Sequence, residues 1–176
     1  MRNLLPTVVA LIGMGVPAHL GQTKPAASPL SEESKQTTEA PTSHPLVGVW
    51  RVVQWCDRDP AGGFTERFGQ KPIGFFVYTP TGQLSIQVMR TPAPSPFAAG
   101  DNSPTDEERR TLLDGYFGYF GTYTIDAANS SVVHHVEGGT IPSYIGTDQH
   151  RRFRITGDTL SIGGEPLPCR VLHRVR

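Results

Sequence analysis

The chain has few cysteines, no surplus of charge of either sign and no apolar run long enough to span a membrane. Its two cysteines cannot supply a disulfide-rich scaffold or the four ligands of a structural zinc site. Lys and Arg together number 16, as do Asp and Glu, so the net charge is zero and the usual basic footprint of a nucleic-acid-binding protein is excluded. No phosphate-binding glycine loop or nucleophile motif stands out. We therefore predict no metal, no cofactor and no nucleic-acid partner.

Turn-forming residues are abundant instead. The chain has 19 glycines and 16 prolines among 176 residues, which indicates many turns rather than long helices. Between the turn signals stand runs rich in β-branched and aromatic residues, which we interpret as strands. These runs cover 47–55, 73–78, 83–90, 116–125, 131–137, 147–156, 159–162 and 169–176.

A single helix is predicted before position 115, with Ser103 as its N-cap, Pro104 at its first position and acidic residues in its first turn. Seven or eight strands at hairpin spacing with one short helix predict an all-β fold, a closed antiparallel eight-stranded barrel. A β-sandwich is the structural alternative. A barrel of about eight strands is just wide enough to hold one small ligand.

The N-terminal segment has the pattern of a secretory signal. The run LLPTVVALIGMGV at 4–16 follows a basic residue, and small residues lead to a cleavage site after Ala18. We assign 1–21 to the signal peptide, with a buried N-terminal helix as the alternative. Residues 22–44 hold one large apolar residue and predict a disordered linker. The folded domain is then 45–176, in a protein that is secreted or periplasmic.

The first strand resembles a known family. Gly48-Val49-Trp50 looks like the Gly-x-Trp signature of lipocalins, in which an arginine of the last strand, here Arg174 or Arg176, packs against the tryptophan. The likeness to small lipocalin-like domain proteins is longer and covers most of 46–162. It runs through LVGVWRVVQW, GFFVYTPTGQLSIQVMR, DGYFGYFGTYTID and VVHHVEGGTIPSYIGTDQHRRFRITGDTLSI. The resemblance implies an eight-stranded barrel with a central pocket, and a function only by analogy.

His134 and His135 are the most suggestive pair of adjacent residues. Neighbours on a strand point to opposite faces, so His135 shares a face with Glu137, and His134 shares the other with Val132 and Val136. Two adjacent histidines therefore cannot both bind one metal ion without a bulge. His134 is either a hydrogen-bonded barrel histidine or a general acid/base, since imidazole titrates near neutral pH.

Three tyrosines are predicted to face the interior. Tyr119 and Tyr123 share a face with Phe117, and Tyr78 shares one with Phe76. Tyrosine hydroxyls in an apolar pocket suit a small ligand with a few polar groups, and the alternative is that the rings only fill the core.

Arg151 is also predicted to face the interior, because its neighbours two and four positions on are apolar. A buried guanidinium needs a carboxylate or an anionic ligand group, and Glu137 could be that carboxylate only if its strand turned it inward. On the strand 83–90 the alternation favours its leucine, isoleucine and valine as core. A polar-lined lumen would instead turn Gln87 toward the ligand.

The two cysteines lie at matching ends of the first and last strands. A disulfide between Cys56 and Cys169 is plausible in an exported protein. The register that pairs them would, however, place Val175 opposite Trp50 and displace Arg174. The disulfide and the direct contact of Trp50 with Arg174 therefore compete unless a β-bulge intervenes.

Three functions follow from these patterns. The leading hypothesis is an exported barrel that binds a small, largely apolar molecule. The second is an isomerase, cyclase or hydrolase in the same pocket, in which His134 is the acid/base while Tyr119 and Arg151 stabilise charge. The third is an interaction module with a filled barrel, whose contact surface is the proline-rich loop 91–104. The sequence sets neither the ligand nor the oligomeric state.

Overall fold

A computed structural model of the chain describes residues 44–163 and 170–176. The predicted signal peptide, the predicted linker as far as 43 and the residue Cys169 lie outside the described residues. The described part contains ten strands and one α-helix. They are β1 (Gly48–Trp55), β2 (Asp57–Arg58), β3 (Phe64–Thr65), β4 (Ile73–Tyr78), β5 (Gln83–Met89), α1 (Asp106–Gly115), β6 (Tyr116–Asp126), β7 (Ser131–Gly139), β8 (Asp148–Thr156), β9 (Thr159–Gly163) and β10 (Arg170–Arg174).

Eight of these strands form a closed antiparallel barrel in the order β1-β10-β9-β8-β7-β6-β5-β4. The barrel closes because β1 pairs with β4 on one side and with β10 on the other. The predicted eight-stranded barrel with one short helix is thereby confirmed, and the sandwich alternative is wrong. The short strands β2 and β3 form a separate hairpin, where the sequence predicted only a turn. Among the described helices, none is long and apolar enough to cross a membrane.

The alternation of apolar and polar residues determines which side chains fill the barrel. On β5, Leu84, Ile86 and Val88 are buried, as the alternation predicted. Gln87 is exposed, and its side-chain amide donates to the Ser85 hydroxyl at 3.3 Å. The prediction that Gln87 lines the lumen is therefore wrong, because the apolar period of β5 and not its polar face points inward.

A β-bulge interrupts the alternation on β1. Trp50 and Trp55 are five positions apart, so a regular strand would point them to opposite faces. The register against β10 shifts between Val52 and Gln54, and both indole rings are buried. The extra residue, Val53, is 36% exposed and turns the second half of the strand over.

The same bulge removes the conflict between the disulfide and the contact of Trp50 with Arg174. Trp50 pairs with Arg174 before the shift, and Trp55 pairs with Arg170 after it. The second pair is in the register that the disulfide requires. The disulfide itself includes a residue outside the described part, so it stays a prediction.

Helix α1 begins two residues later than the sequence indicated. Its N-cap is Thr105 and not Ser103, because Thr105 and Glu108 form a reciprocal capping box. The Glu108 backbone N–H donates to the Thr105 hydroxyl at 3.2 Å, and the Thr105 N–H donates to the Glu108 carboxylate at 2.7 Å. The helix ends at Gly115, as predicted, where β6 begins.

One end of the barrel is closed by residues just before β1, on β1 and at the end of β10. The Arg174 guanidinium lies 4.1 Å from the centroid of the buried Trp50 ring and donates to the Val47 carbonyl at 3.0 Å. The Trp50 indole N–H donates to the Leu46 carbonyl at 2.8 Å, and Leu46 is fully buried. We call this group, with Leu46, Trp50 and Arg174 at its centre, the seal. His44, assigned to the linker from sequence, packs edge-on against Phe153 with 5.8 Å between ring centroids.

Candidate functional site

A cavity of about 130 Å³ lies inside the barrel, so the described interior is not packed solid. Trp55 belongs to its wall, whereas Trp50 in the seal does not. The apolar part of the wall is formed by Trp55, Phe68, Phe76, Phe117, Ile141 and Ile162. The polar part is formed by Asp57, Arg67, Tyr119, His134, Tyr144, Arg151 and Arg170. The exposed Arg67 shows that the wall reaches the protein surface.

The aromatic side chains of the wall contact one another at tilted or edge-to-face angles. Phe117 lies 5.3 Å from Trp55, in a tilted arrangement, and 5.5 Å from Tyr119, edge to face, between ring centroids. Tyr144, in the short turn before β8, lies 6.2 Å from Tyr119, also edge to face. Edge-to-face pairing is one of the arrangements that aromatic rings favour. The cavity therefore has a wall of aromatic rings packed on one another.

His134 is fully buried and is held between two tyrosines. Its Nε2 lies 2.9 Å from the Tyr78 hydroxyl, and its Nδ1 lies 2.6 Å from the Tyr119 hydroxyl. Burial, together with the positive charge of Arg151, lowers the pKa of His134 to about 3. The imidazole is therefore neutral at physiological pH, with one nitrogen that donates and one that accepts.

Burial and nearby charge act in opposite directions on the two tyrosines. Burial raises the pKa of Tyr119 to about 12, although the positive charge of the Arg151 guanidinium acts in the opposite direction. Burial also raises the pKa of Tyr78 well above its ordinary value. Both hydroxyls therefore keep their protons, and Tyr78, His134 and Tyr119 form a neutral hydrogen-bonded row that we call the triad.

Arginines dominate the charged part of the wall. Arg170 stacks on the Trp55 ring at 4.2 Å and donates to the Asp57 carboxylate at 3.0 Å. Its Nε is buried and has no hydrogen-bond partner among the described residues. Arg151 donates to the Gln149 side-chain oxygen at 3.0 Å and to the His150 carbonyl at 2.8 Å. With Arg67, three guanidinium groups and one carboxylate line the cavity, so its charge is net positive.

The structure brings four of the predicted ligand residues together and separates two. Tyr119, His134 and Arg151 line the cavity, and Tyr78 lies directly behind His134. Tyr123 is buried outside the cavity wall, where its hydroxyl donates to the Thr79 carbonyl at 2.6 Å. Gln87 points outward, as described above.

Residues on the outer face of β7 take no part in the cavity. His135 contacts the Asp148 carboxylate at 2.7 Å, and Glu137 is exposed, so Glu137 is not the partner of Arg151. No group of three or more potential metal ligands occurs within 44–163 and 170–176. The histidine pair is therefore divided between the interior and the surface, as the strand alternation predicted.

Sequence reasoning missed the charged pair that Arg170 and Asp57 form in the cavity wall. Arg170 repeats on Trp55 what Arg174 does on Trp50, since each guanidinium covers one indole ring. The spacing of the two tryptophans and the two arginines was visible in the sequence. The inward direction of Trp55 depends on the bulge, because regular alternation from Trp50 would place Trp55 on the outer face.

Comparison with known proteins agrees with this architecture. The model of the lipocalin-like domain family matches residues 47–168. A protein from Aspergillus oryzae, named as a carrier protein for 4'-hydroxy-3'-methoxypropiophenone, is 36% identical over 85 residues. The matched part is 45% of this chain and 77% of that relative. The closed barrel, the Gly-x-Trp strand and the family match lead to one conclusion, that the chain belongs to the lipocalin-like domain family.

Proposed function

We propose that this protein binds a small, largely apolar molecule with a single aromatic ring in the cavity of its barrel. The observation that carries the proposal is a cavity of about 130 Å³ between aromatic side chains that pack on one another. An engineered cavity of about 150 Å³ in another protein binds benzene, so this volume suits one ring. A longer substituent would extend past Arg67, where the wall reaches the surface.

The polar groups of the wall restrict the ligand further. Tyr119 and Arg151 supply polar groups at one part of the wall. At another part, the Trp55 indole N–H donates to Asp57, and Arg170 stacks on the Trp55 ring. This combination of apolar surface with a few fixed polar groups is typical of small-molecule sites. The relative from Aspergillus oryzae is named for a single-ring aryl ketone. The name of this relative supports the proposal that this chain, too, binds a ligand with a single aromatic ring.

An enzyme in the same cavity is the second candidate, and one observation favours it. The Nδ1 of His134 lies 2.6 Å from the Tyr119 hydroxyl, which is hydrogen-bonding distance for proton transfer. Against this role, both nitrogens of His134 are engaged by tyrosines and its pKa is lowered to about 3. A general base for neutral pH needs a pKa near 7. The geometry therefore supports the binding of a ligand better than an enzymatic reaction on it.

Ile141 gives the sharpest test of the binding site. It lines the cavity, whereas Ile145, four positions on, is 47% exposed outside it. We expect Ile141→Trp to fill the cavity and lower the affinity for 4'-hydroxy-3'-methoxypropiophenone by about tenfold or more, equivalent to about 1.4 kcal/mol. Isothermal titration calorimetry measures this affinity.

Ile145→Trp is the matched control, since it adds the same ring outside the cavity. It should bind the ketone as the unaltered protein does. Equal affinities for the two variants would place binding elsewhere and overturn the proposal, as would the absence of any saturable heat with the unaltered protein.

We also propose that the protein is exported, with a signal peptide within 1–21 that is cleaved near Ala18 and a linker from 22 to about 43 before the domain. The Cys56–Cys169 disulfide belongs to this proposal, and the register of Trp55 with Arg170 supports it. In a secreting host, the intact mass should match cleavage near Ala18 and rise by about 2 Da on reduction. Cys56→Ser should abolish the rise. A retained N-terminus or an unchanged mass on reduction would contradict export or the disulfide, respectively.

A further inference from the structure

We propose that the hydroxyl of Tyr119 donates a hydrogen bond to a carbonyl oxygen of the ligand. The inference rests on the proposed function and deepens it, because it specifies the chemical group that the ligand must present. It follows from which atom of the triad carries each proton.

Tyr78 is the end of the triad that the protein encloses. Tyr78 is 1% exposed and does not line the cavity. Within the described part of the chain, its hydroxyl has one hydrogen-bond partner, the Nε2 of His134 at 2.9 Å. A buried hydroxyl proton without an acceptor is costly, so Tyr78 donates to Nε2. Nε2 is then the acceptor nitrogen of the imidazole.

The tautomer of His134 follows from that donation. A neutral imidazole with an accepting Nε2 carries its proton on Nδ1. Nδ1 lies 2.6 Å from the Tyr119 hydroxyl oxygen, so it donates to that oxygen. The second tyrosine of the triad is therefore an acceptor toward the imidazole.

The proton of the Tyr119 hydroxyl is consequently free to point into the cavity. Tyr119 lines the cavity wall, and among the described residues its hydroxyl has one hydrogen-bond partner, the Nδ1 of His134 that donates to it. This donation also polarises the O–H bond, because hydrogen bonds in a chain strengthen one another. A ligand oxygen that accepts is the complement of this group.

The rest of the polar wall is rich in donors too. Arg170 has a buried Nε without a partner among the residues that the structure describes. Asp57, the one carboxylate of the wall, already accepts from Arg170 and from the Trp55 indole N–H. A ligand carbonyl oxygen can accept from such donors, whereas a hydrocarbon leaves them without a partner. The site therefore favours an aromatic carbonyl compound over the corresponding hydrocarbon.

Two probes of nearly equal shape isolate this hydrogen bond. Acetophenone carries a carbonyl group where α-methylstyrene carries a carbon–carbon double bond. We expect the unaltered protein to bind acetophenone about tenfold more tightly than α-methylstyrene. Tyr119→Phe should abolish this preference, which is the ratio of the two affinities measured on the same variant, while the variant still binds α-methylstyrene. Tyr123→Phe, the control, loses a hydroxyl outside the cavity wall and should keep the preference.

The outcomes separate this inference from the proposed function. If the unaltered protein binds neither probe, the cavity is not a site for single-ring ligands and both proposals are overturned. If it binds both probes equally, the function stands and the inference is overturned. Retention of the preference in Tyr119→Phe also overturns the inference.

The tautomer of His134 gives a readout that does not depend on the ligand. The ¹⁵N chemical shifts of its two nitrogens should show the proton on Nδ1 at neutral pH. Tyr78→Phe removes the donor to Nε2 and should change this pattern. Detection of the proton on Nε2 in the unaltered protein would reverse the direction of the triad and overturn the inference.

Discussion

At pH 4 the protein is expected to be about 3 kcal/mol less stable than at pH 7 through His134 alone. Burial lowers the pKa of this histidine in the folded state to about 3, against 6.5 when it is exposed. Between these values the unfolded chain binds a proton that the folded chain does not. The free energy of unfolding therefore falls as the pH drops below about 6.5, by about 1.4 kcal/mol per pH unit, and this effect ends near pH 3.

Urea unfolding at several pH values between 4 and 7 measures this effect. Carboxylates add an acid slope of their own, so the test is a comparison of variants. His134→Gln keeps a donor and an acceptor but does not titrate, and its stability should change less with pH than that of the unaltered protein. His150→Gln replaces an exposed histidine and should leave the slope as it is. Parallel pH curves for His134→Gln and the unaltered protein would contradict the prediction.

Trp50→Ala is expected to lower the free energy of unfolding by about 4 kcal/mol. The Trp50 ring is fully buried, so its removal leaves a large void in the seal. The change also removes the hydrogen bond to the Leu46 carbonyl and the surface on which Arg174 stacks. Denaturant unfolding at neutral pH gives the stability of the variant.

Val53→Ala is the control on the same strand, because Val53 is partly exposed on the bulge. It should cost no more than about 0.5 kcal/mol, as is usual for surface substitutions. If Trp50→Ala does not fold, Trp50→Phe retains a ring without the indole N–H and should cost about 1–2 kcal/mol. A loss below about 1 kcal/mol for Trp50→Ala would show that the seal contributes little to stability.

Strand alternation made much of the fold predictable. It gave the bounds of β4, and it directed Ile86 inward, His134 inward and His135 outward, all as the structure has them. These predictions succeed because one face of each barrel strand is in the core, so a shift by one residue would expose every apolar side chain on it. The resemblance added the pairing of Trp50 with the last strand, which Arg174 makes.

The arrangement around the cavity was harder to predict. The contact of Asp57 with Arg170 joins residues 113 positions apart, and their pairing depends on the barrel register. Gln87 was assigned to the lumen by chemical suitability, against the period of its strand. The two hydrogen bonds of His134 required the relative positions of β4, β6 and β7, because Tyr78 and Tyr119 lie on different strands.

Because of the bulge at Val53, the single strand β1 contributes Trp50 to the seal and Trp55 to the cavity wall. Insertion of a single residue reverses the inside–outside parity of every later position, while earlier positions keep theirs. The bulge cancels this reversal in β1, because Val53 and Gln54 are both exposed and Trp55 is buried like Trp50; deletion of Val53 would restore regular alternation with both indole rings still inside. An insertion that the strand did not accommodate with a bulge would turn Trp55 outward and leave Trp50 in place, so the aromatic lining of the cavity depends on the bulge and the seal does not.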